Sequence, residues 1–340
     1  MEQIVWATGA QYLRYRIPGI IVTQKGTILL YCEARKSPDD WAEMDILLRR
    51  SEDGGKTFSE EQKIACGTKE RPTVNNPVLM QDGSGRIHFL YCETYAIGGG
   101  RVLQRYSDDD GVTWSAPKDI SYATFPEKRN VFALGPGHGI CTREGRLLVP
   151  FWTVLKESGA AETAHAPSRV GTLYSDDGGG HWHAGGLVPS RVQGTNESAV
   201  CQLQDGRLYL NIRCEEPHRA FSLSKSGIGG WSAAEADGRL PDPRCFGSVC
   251  AVEGGAHPYT VLFVNCESET ERKNIVLKGS CDGLKSWSLR KVIDAARGGY
   301  ADLAADTGRG CVYVLYEEAW GMYERFATVP FAELYPENKS

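Results

Sequence analysis

Residues Ser107 to Trp114 read SDDDGVTW, and the same octet returns as SEDGGKTF at Ser51 to Phe58, SDDGGGHW at Ser175 to Trp182 and SCDGLKSW at Ser280 to Trp287. A worn copy, SKSGIGGW, runs from Ser224 to Trp231, with Ser226 where the others carry Asp. The first positions lie 56, 68, 49 and 56 residues apart, the period of a repeated supersecondary unit. The octet's physics is local. Its Asp carboxylate can bond nearby backbone N–H groups, and Gly supplies the positive φ that such a turn needs. The closing aromatic is expected to pack back under the turn. The octets are therefore read as scaffold, with the chemistry elsewhere.

Between the octets helical periodicity is scarce and short runs rich in Val, Ile, Leu, Tyr and Phe dominate, bounded by Gly, Asp and Asn. Six units share one order. Each opens with a short segment (RIPGIIVT from Arg16, NNPVLMQD from Asn75, GHGICTRE from Gly137, NESAVCQL from Asn196, GSVCAVE from Gly247, YADLAADT from Tyr300). A second apolar strand follows, such as GTILLYCEAR or GRLYLNIR, then a third that in five units runs into the octet. The residues after each octet supply a fourth, outer strand. The expectation is an all-β chain, a six-bladed β-propeller of four-stranded antiparallel blades forming a single domain over 1–340. The sixth unit lacks room for its own fourth strand, so Gln3 to Thr8 is expected to close the ring. A two-layer β-sandwich would also be all-β but leaves six similar units unexplained.

Composition agrees with an ordinary globular chain: 41% hydrophobic, 24% charged, with 39 glycines suited to many tight turns. A net charge of -5 argues against nucleic acid or an anionic membrane as partner. No apolar run is long enough to span a bilayer, and MEQIVWATGA has neither the basic nor the apolar region of a signal peptide. Eleven cysteines, an odd number with no CxxC pair, are expected to be free thiols in a reducing compartment, the cytoplasm. His181-x-His183 is too sparse for a metal site, so neither metal nor cofactor is expected.

Blade topology places the starts of first strands, the ends of second strands and the starts of third strands on one face, opposite the octets. That face receives Arg16, Asn75, His138, Glu197 and Tyr300 from first strands, and Arg35, Arg213 and Glu317 from second-strand ends. Asp39, Asp40, Glu43 and Arg272 arrive from the connections that follow. Converging guanidinium groups suit a carboxylate or phosphate ligand held bidentately. No Gly-rich phosphate loop accompanies them, which leaves nucleotide chemistry unsupported. Arg35 stands free to hold Asp39, Asp40 or Glu43.

These residues also carry a family resemblance. Tyr15-Arg16-Ile17-Pro18 resembles the arginine-isoleucine-proline motif of sialidases (neuraminidases), and the octets resemble their Asp-boxes, or BNR repeats. EARKSPDDWAEMDILLRRSEDGGKTF, GPGHGI, TNES, LNIR, ERKNIVL and YADL match further sialidase landmarks in the same order, from about Tyr12 to Leu334. The resemblance implies that Arg16, Arg213 and Arg272 clamp the carboxylate of sialic acid. It implies Asp40 as general acid/base, with Asp39 leaving the register open by one residue. Tyr300 is implied as nucleophile with Glu197 as its partner, Arg35 as an additional arginine, and Glu317 as the group orienting Arg16. Ser198 and Ala301 depart from the residues more usual at those positions.

The implied activity is a retaining exo-α-sialidase acting on terminal α-linked sialic acids of glycoconjugates. Charge gives the tyrosine a reason: the anomeric carbon of a sialoside bears a carboxylate that would repel an attacking Asp or Glu. An unperturbed phenol, with a pKa near 10, needs a base to take its proton. Two alternatives stand beside this reading. One is a non-catalytic propeller binding an anionic sugar or a protein, which would need the arginines but not Tyr300, Glu197 and Asp40 together. The other is a hydrolase or transglycosylase for a related nonulosonic acid.

Overall fold

The computed structural model describes residues 2–93, 100–124, 129–155, 165–254 and 257–335; the domain expected over 1–340 thus includes stretches outside the described residues. The short apolar runs form antiparallel strands in five sheets. The first joins Arg14–Val22, Ile28–Arg35, Met44–Ser51 and Gln62–Cys66, and the second joins Val74–Gln81, Ile87–Glu93, Arg101–Ser107 and Lys118–Asp119. Ser198–Gln202, Leu208–Ile212, His218–Ser224 and Glu235–Pro241 make another four-stranded meander. Among the described residues the only helical pieces are the turns Ser121–Ala123 and Phe331–Leu334, and no helix is long and apolar enough to cross a membrane.

Two units differ from the sequence expectation. The third does not open at Gly137. Its inner strand is Arg129–Leu134, paired with the far end of Leu147–Leu155, and only Ile140–Cys141 of the expected segment joins the ladder. The break is local: Pro136 has no N–H to give, and its neighbours Gly135 and Gly137 have φ of 42 and 78°. In the last sheet, one long strand, Leu289–Asp306, replaces the two that were expected. Its first half pairs with Lys273–Ser280 and its second with Cys311–Glu318, with the register shifting between Gly298 and Ala301. That sheet runs from Ser248–Val252 through Thr260–Cys266 to Tyr323–Pro330, and Glu2–Ala7 pairs along its final edge.

The octets are built by their own side chains. Ser107 Oγ donates to Asp109 Oδ1 at 2.8 Å and accepts from Gly111 N, while Asp109 also accepts from Thr113 N and Oγ1. Ser51–Asp53, Ser175–Asp177 and Ser280–Asp282 repeat this pattern, and in the worn copy Ser224 Oγ donates to Gly229 O instead. The closing aromatics pack inward, with Phe58 against Phe326, Trp114 against Phe89 and Trp182 fully buried. His181 is spent on Asp177 within its own turn.

The inner strands meet near Asp302, which is fully buried. Its carboxylate accepts from Ile20 N at 2.9 Å and bonds His138 Nδ1 at 2.8 Å, tying three sheets together. Tyr31 reaches across the same centre, donating to Gly137 O and accepting from Leu79 N. Gly19 is needed beside it, because a Cβ there would lie 2.0 Å from the Tyr31 ring.

Candidate active site

Three backbone irregularities aim side chains at one cavity. In Arg16-Ile17-Pro18-Gly19 the register shifts and Ile17 takes a φ of 60°, and in Asn75-Asn76-Pro77 the same happens with Asn76 at 51°. Left-handed backbone at a β-branched residue costs of order 1–3 kcal/mol and persists only where the surroundings impose it. Here a glutamate imposes it each time. Glu317 Oε1 accepts from Ile17 N at 3.0 Å, and Glu33 Oε1 accepts from Asn76 N at 2.7 Å. The third irregularity, at Gly298–Ala301, brings Tyr300 N within 3.1 Å of Glu317 Oε2.

The resulting cavity, about 460 Å³, is lined by Arg16, Arg35, Asp40, Glu197, Arg213, Arg272 and Tyr300, with Asn75, Phe132, Trp152 and Trp320 among its other walls. The sequence-derived set therefore converges, Glu317 standing one layer beneath it. Tyr300 is 5% exposed. Its hydroxyl donates to Glu197 Oε1 at 2.6 Å and accepts from Arg213 Nη1 at 2.8 Å. Burial first, and then the charge of Glu197, raise the phenol's pKa well above 10 against the pull of three arginines. It rests neutral. Arg16 and Arg272 both stand over Tyr300, with their guanidinium carbons 5.2 and 5.3 Å from its ring centre.

Each arginine is held differently. Arg16 Nε donates to Glu317 Oε1 at 2.6 Å, and Arg213 Nη1 donates to Glu197 Oε2 at 2.6 Å. Arg35 forks onto Glu33 through Nε and Nη2 and reaches Asp40 Oδ1 with Nη1 at 2.6 Å. Among the described residues the Arg272 guanidinium hydrogen-bonds only the Arg244 carbonyl, at 3.2 Å, and has no carboxylate within ion-pairing distance. The cluster thus keeps one cation open for an anion.

Asp40 and Asp39 part company. Asp39 turns back to accept from Trp41 N, while Asp40 faces the cavity with its side chain 56% exposed and His165 Nε2 4.0 Å away. Burial pushes the Asp40 carboxyl up, but the charge and hydrogen bond of Arg35 outweigh it and hold the group below its usual range. Glu43 leaves the site altogether and pairs with Lys36. His138, expected on this face, sits instead against Asp302 and lines a separate cavity of about 760 Å³, shared with Gln24, Gln81 and Arg309. The displaced opening of the third unit is the reason.

Two participants escaped the sequence reading. Glu33 lies two residues before Arg35, a spacing that puts both on one side of a strand, so its partnership was legible. Glu324 was not. It faces Glu317 across neighbouring strands, is 0% exposed, and neither carboxylate oxygen has a hydrogen-bond partner among the described residues. Burial and then the charge of Glu317 raise its pKa well above 4.5, against the pull of Arg16.

Comparison with known proteins adds a family and a fold. A model described as a BNR repeat-like domain matches residues 59–314. The chain is similar to a sialidase of Micromonospora viridifaciens, at 29% identity over 98% of this chain and 56% of that protein. It is 30% identical to human sialidase-4 over 70% of this chain and 54% of that one. It thus spans just over half the length of these relatives. Among solved structures, the Hadza microbial sialidase Hz136 superposes with a TM-score of 0.84 at 24% identity, covering 96% of this chain and 67% of that one, a likeness of fold.

Proposed function

The chain belongs to the sialidase family of BNR-repeat proteins, and from that premise we propose that it is a retaining exo-α-sialidase releasing terminal α-linked sialic acid through a tyrosine nucleophile. The observation that carries this reading is the buried Tyr300 hydroxyl donating to Glu197 at 2.6 Å, beneath arginines and across the cavity from Asp40. We further propose six blades in a single domain, with Glu2–Ala7 completing the last. The pairing of that strand with Tyr323–Pro330 and the contacts of Arg14–Val22 with both Val74–Gln81 and Leu289–Asp306 support this.

In the proposed reaction the sugar carboxylate lies against Arg16, Arg213 and Arg272, opposite the apolar side formed by Phe132 and Trp152. Arg272 supplies the uncompensated charge. The incoming carboxylate offsets the positive field that holds Asp40 ionised, so its carboxyl gains a proton as the substrate seats. Tyr300 oxygen then attacks the anomeric carbon while its proton passes to Glu197. The bond to the leaving oxygen breaks, and Asp40 gives that oxygen its proton. In the second half, Asp40 takes a proton from water, water attacks the same carbon, and Tyr300 departs with the proton held by Glu197. Two inversions give net retention.

Cleavage of an aryl α-sialoside, followed by proton NMR from the first minutes, tests the reading. The α-anomer should appear before mutarotation. The β-anomer as first product would mean direct displacement by water, and no release of sugar at all would leave the non-catalytic binding alternative.

A further inference from the structure

On the far side of Arg272 a second cleft opens, of about 710 Å³, and it shares Arg213, Arg272 and Trp320 with the first cavity. The two adjoin along these three side chains. Arg244, Lys273 and Arg297 add three more cations to its lining, against the single carboxylate of Glu271. That carboxylate is engaged by Lys273 at 2.6 Å, and Arg213 is engaged by Glu197. Among the described residues no carboxylate lies within ion-pairing distance of Arg244, Arg272 or Arg297. Glu271 feels Arg297 and Glu317 feels Arg272 only from beyond that distance, so three guanidinium groups around one concavity leave a net positive field that an anion would relieve.

The cleft is also built rather than incidental. Arg244 adopts a φ of 59°, which lets its carbonyl accept from Arg272 Nη2 while its own Nε donates to Glu215 O at 3.1 Å. Ala319, Trp320 and Gly321 follow one another at φ of 50, 60 and 77°. A run of left-handed residues is costly, and here it displays an indole that is 55% exposed, with Arg272 5.2 Å from its ring centre. An exposed aromatic face at the junction of two polar cavities suits the apolar face of a sugar ring.

We propose that this cleft is a second anion-binding subsite, which receives the leaving portion of the substrate when that portion carries a carboxylate or a sulfate. The inference rests on the sialidase reading of the first cavity. The anomeric carbon carries both the clamped carboxylate and the scissile oxygen, so what leaves begins on the carbon whose carboxylate Arg213 and Arg272 hold, and these two side chains also wall the second cleft. Arg297 and Arg244 then meet an anion one sugar further on, and Trp320 lies under the ring between. A sialosyl-sialoside supplies a carboxylate there, and a sulfated galactoside supplies a sulfate.

The test compares kcat/KM of wild type and Arg297→Gln on sialyl-lactose, its sulfated form and a disialoside, with an aryl sialoside as the check for activity itself. Wild type should favour one or both anionic substrates over sialyl-lactose. Loss of one charge-assisted contact should lower that preference roughly tenfold, while sialyl-lactose and the aryl sialoside change by less than about twofold. About 1 M salt should erase the preference in wild type, because the Debye length falls to about 3 Å. A loss confined to the disialoside or to the sulfated sugar identifies which anion the subsite takes. Equal loss on neutral and anionic substrates, or no preference in wild type, overturns the subsite and leaves the sialidase reading intact. Failure of wild type to cleave the aryl sialoside overturns that reading, and the subsite with it.

Discussion

Replacing Glu317 by Gln removes one charge and changes almost no volume, so it isolates what the carboxylate does beneath the cavity. Glu317 accepts from Arg16 Nε at 2.6 Å and Ile17 N at 3.0 Å through one oxygen, and from Tyr300 N at 3.1 Å through the other. A glutamine offers one oxygen for these two directions and points an NH₂ at a donor on the other side. The lost charge-assisted bond to Arg16 is worth about 1.5–3 kcal/mol, and a buried N–H left facing a donor costs about 1–3 kcal/mol. Chemical denaturation should therefore show a loss of about 2.5–6 kcal/mol in the variant. Affinity for a transition-state-like glycal, measured by calorimetry, should fall tenfold or more, since a clamp contact of about 1.4 kcal/mol suffices for that factor. Glu324→Met provides the contrast. That carboxyl is buried, without a hydrogen-bond partner among the described residues, and held neutral, so an apolar side chain of similar shape should leave stability unchanged or raise it. If Glu317→Gln keeps both stability and glycal affinity, or Glu324→Met proves as damaging as Glu317→Gln, this account of the paired glutamates is wrong.

Two further predictions follow from the fold. Burial lowers the His138 pKa but the charge of Asp302 outweighs it, so the folded value is raised above 6.5. The stabilisation it brings is full below pH 6.5 and disappears as pH rises through the folded value. His138→Gln should lose about 1.5–3 kcal/mol at low pH and progressively less in alkali, and a pH-independent deficit would refute the charged pair. Asp109→Ala should cost about 1–2 kcal/mol through the lost turn bonds to Ser107 and Thr113, with glycal affinity unchanged. Weakened affinity at an unchanged melting temperature would mean that the octets bear on the site.

What could be read in the sequence was what a short stretch determines by itself. An octet closes through its own Ser, Asp and Gly, so its turn is legible wherever it stands. The unit pattern then brought Arg16, Arg213, Arg272, Glu197 and Tyr300 to one face, because strand alternation and meander order are regular. Reading failed where partners come from elsewhere in the chain. GHGICTRE from Gly137 reads as the opening of a unit, whereas the ladder begins at Arg129 and breaks at Gly135-Pro136-Gly137. That error carried His138 to the wrong face. Glu324 reads as an ordinary polar residue of YERFATVP, and only its register opposite Glu317 shows it to be buried beneath Arg16. The choice between Asp39 and Asp40 likewise needed the turn at Trp41, which spends one carboxylate on the backbone and leaves the other to Arg35.

In the proposed mechanism the glycosyl group passes through a covalent bond to Tyr300. A 2,3-difluorosialic acid slows both halves of the reaction and leaves a good leaving group, so it should inactivate the protein with time and add one sugar mass. Proteolysis and tandem mass spectrometry of the trapped protein should place that mass on the phenolic oxygen of Tyr300. An adduct on Glu197 or Asp40, or turnover of an aryl sialoside without any trapped sugar, would contradict the tyrosine mechanism.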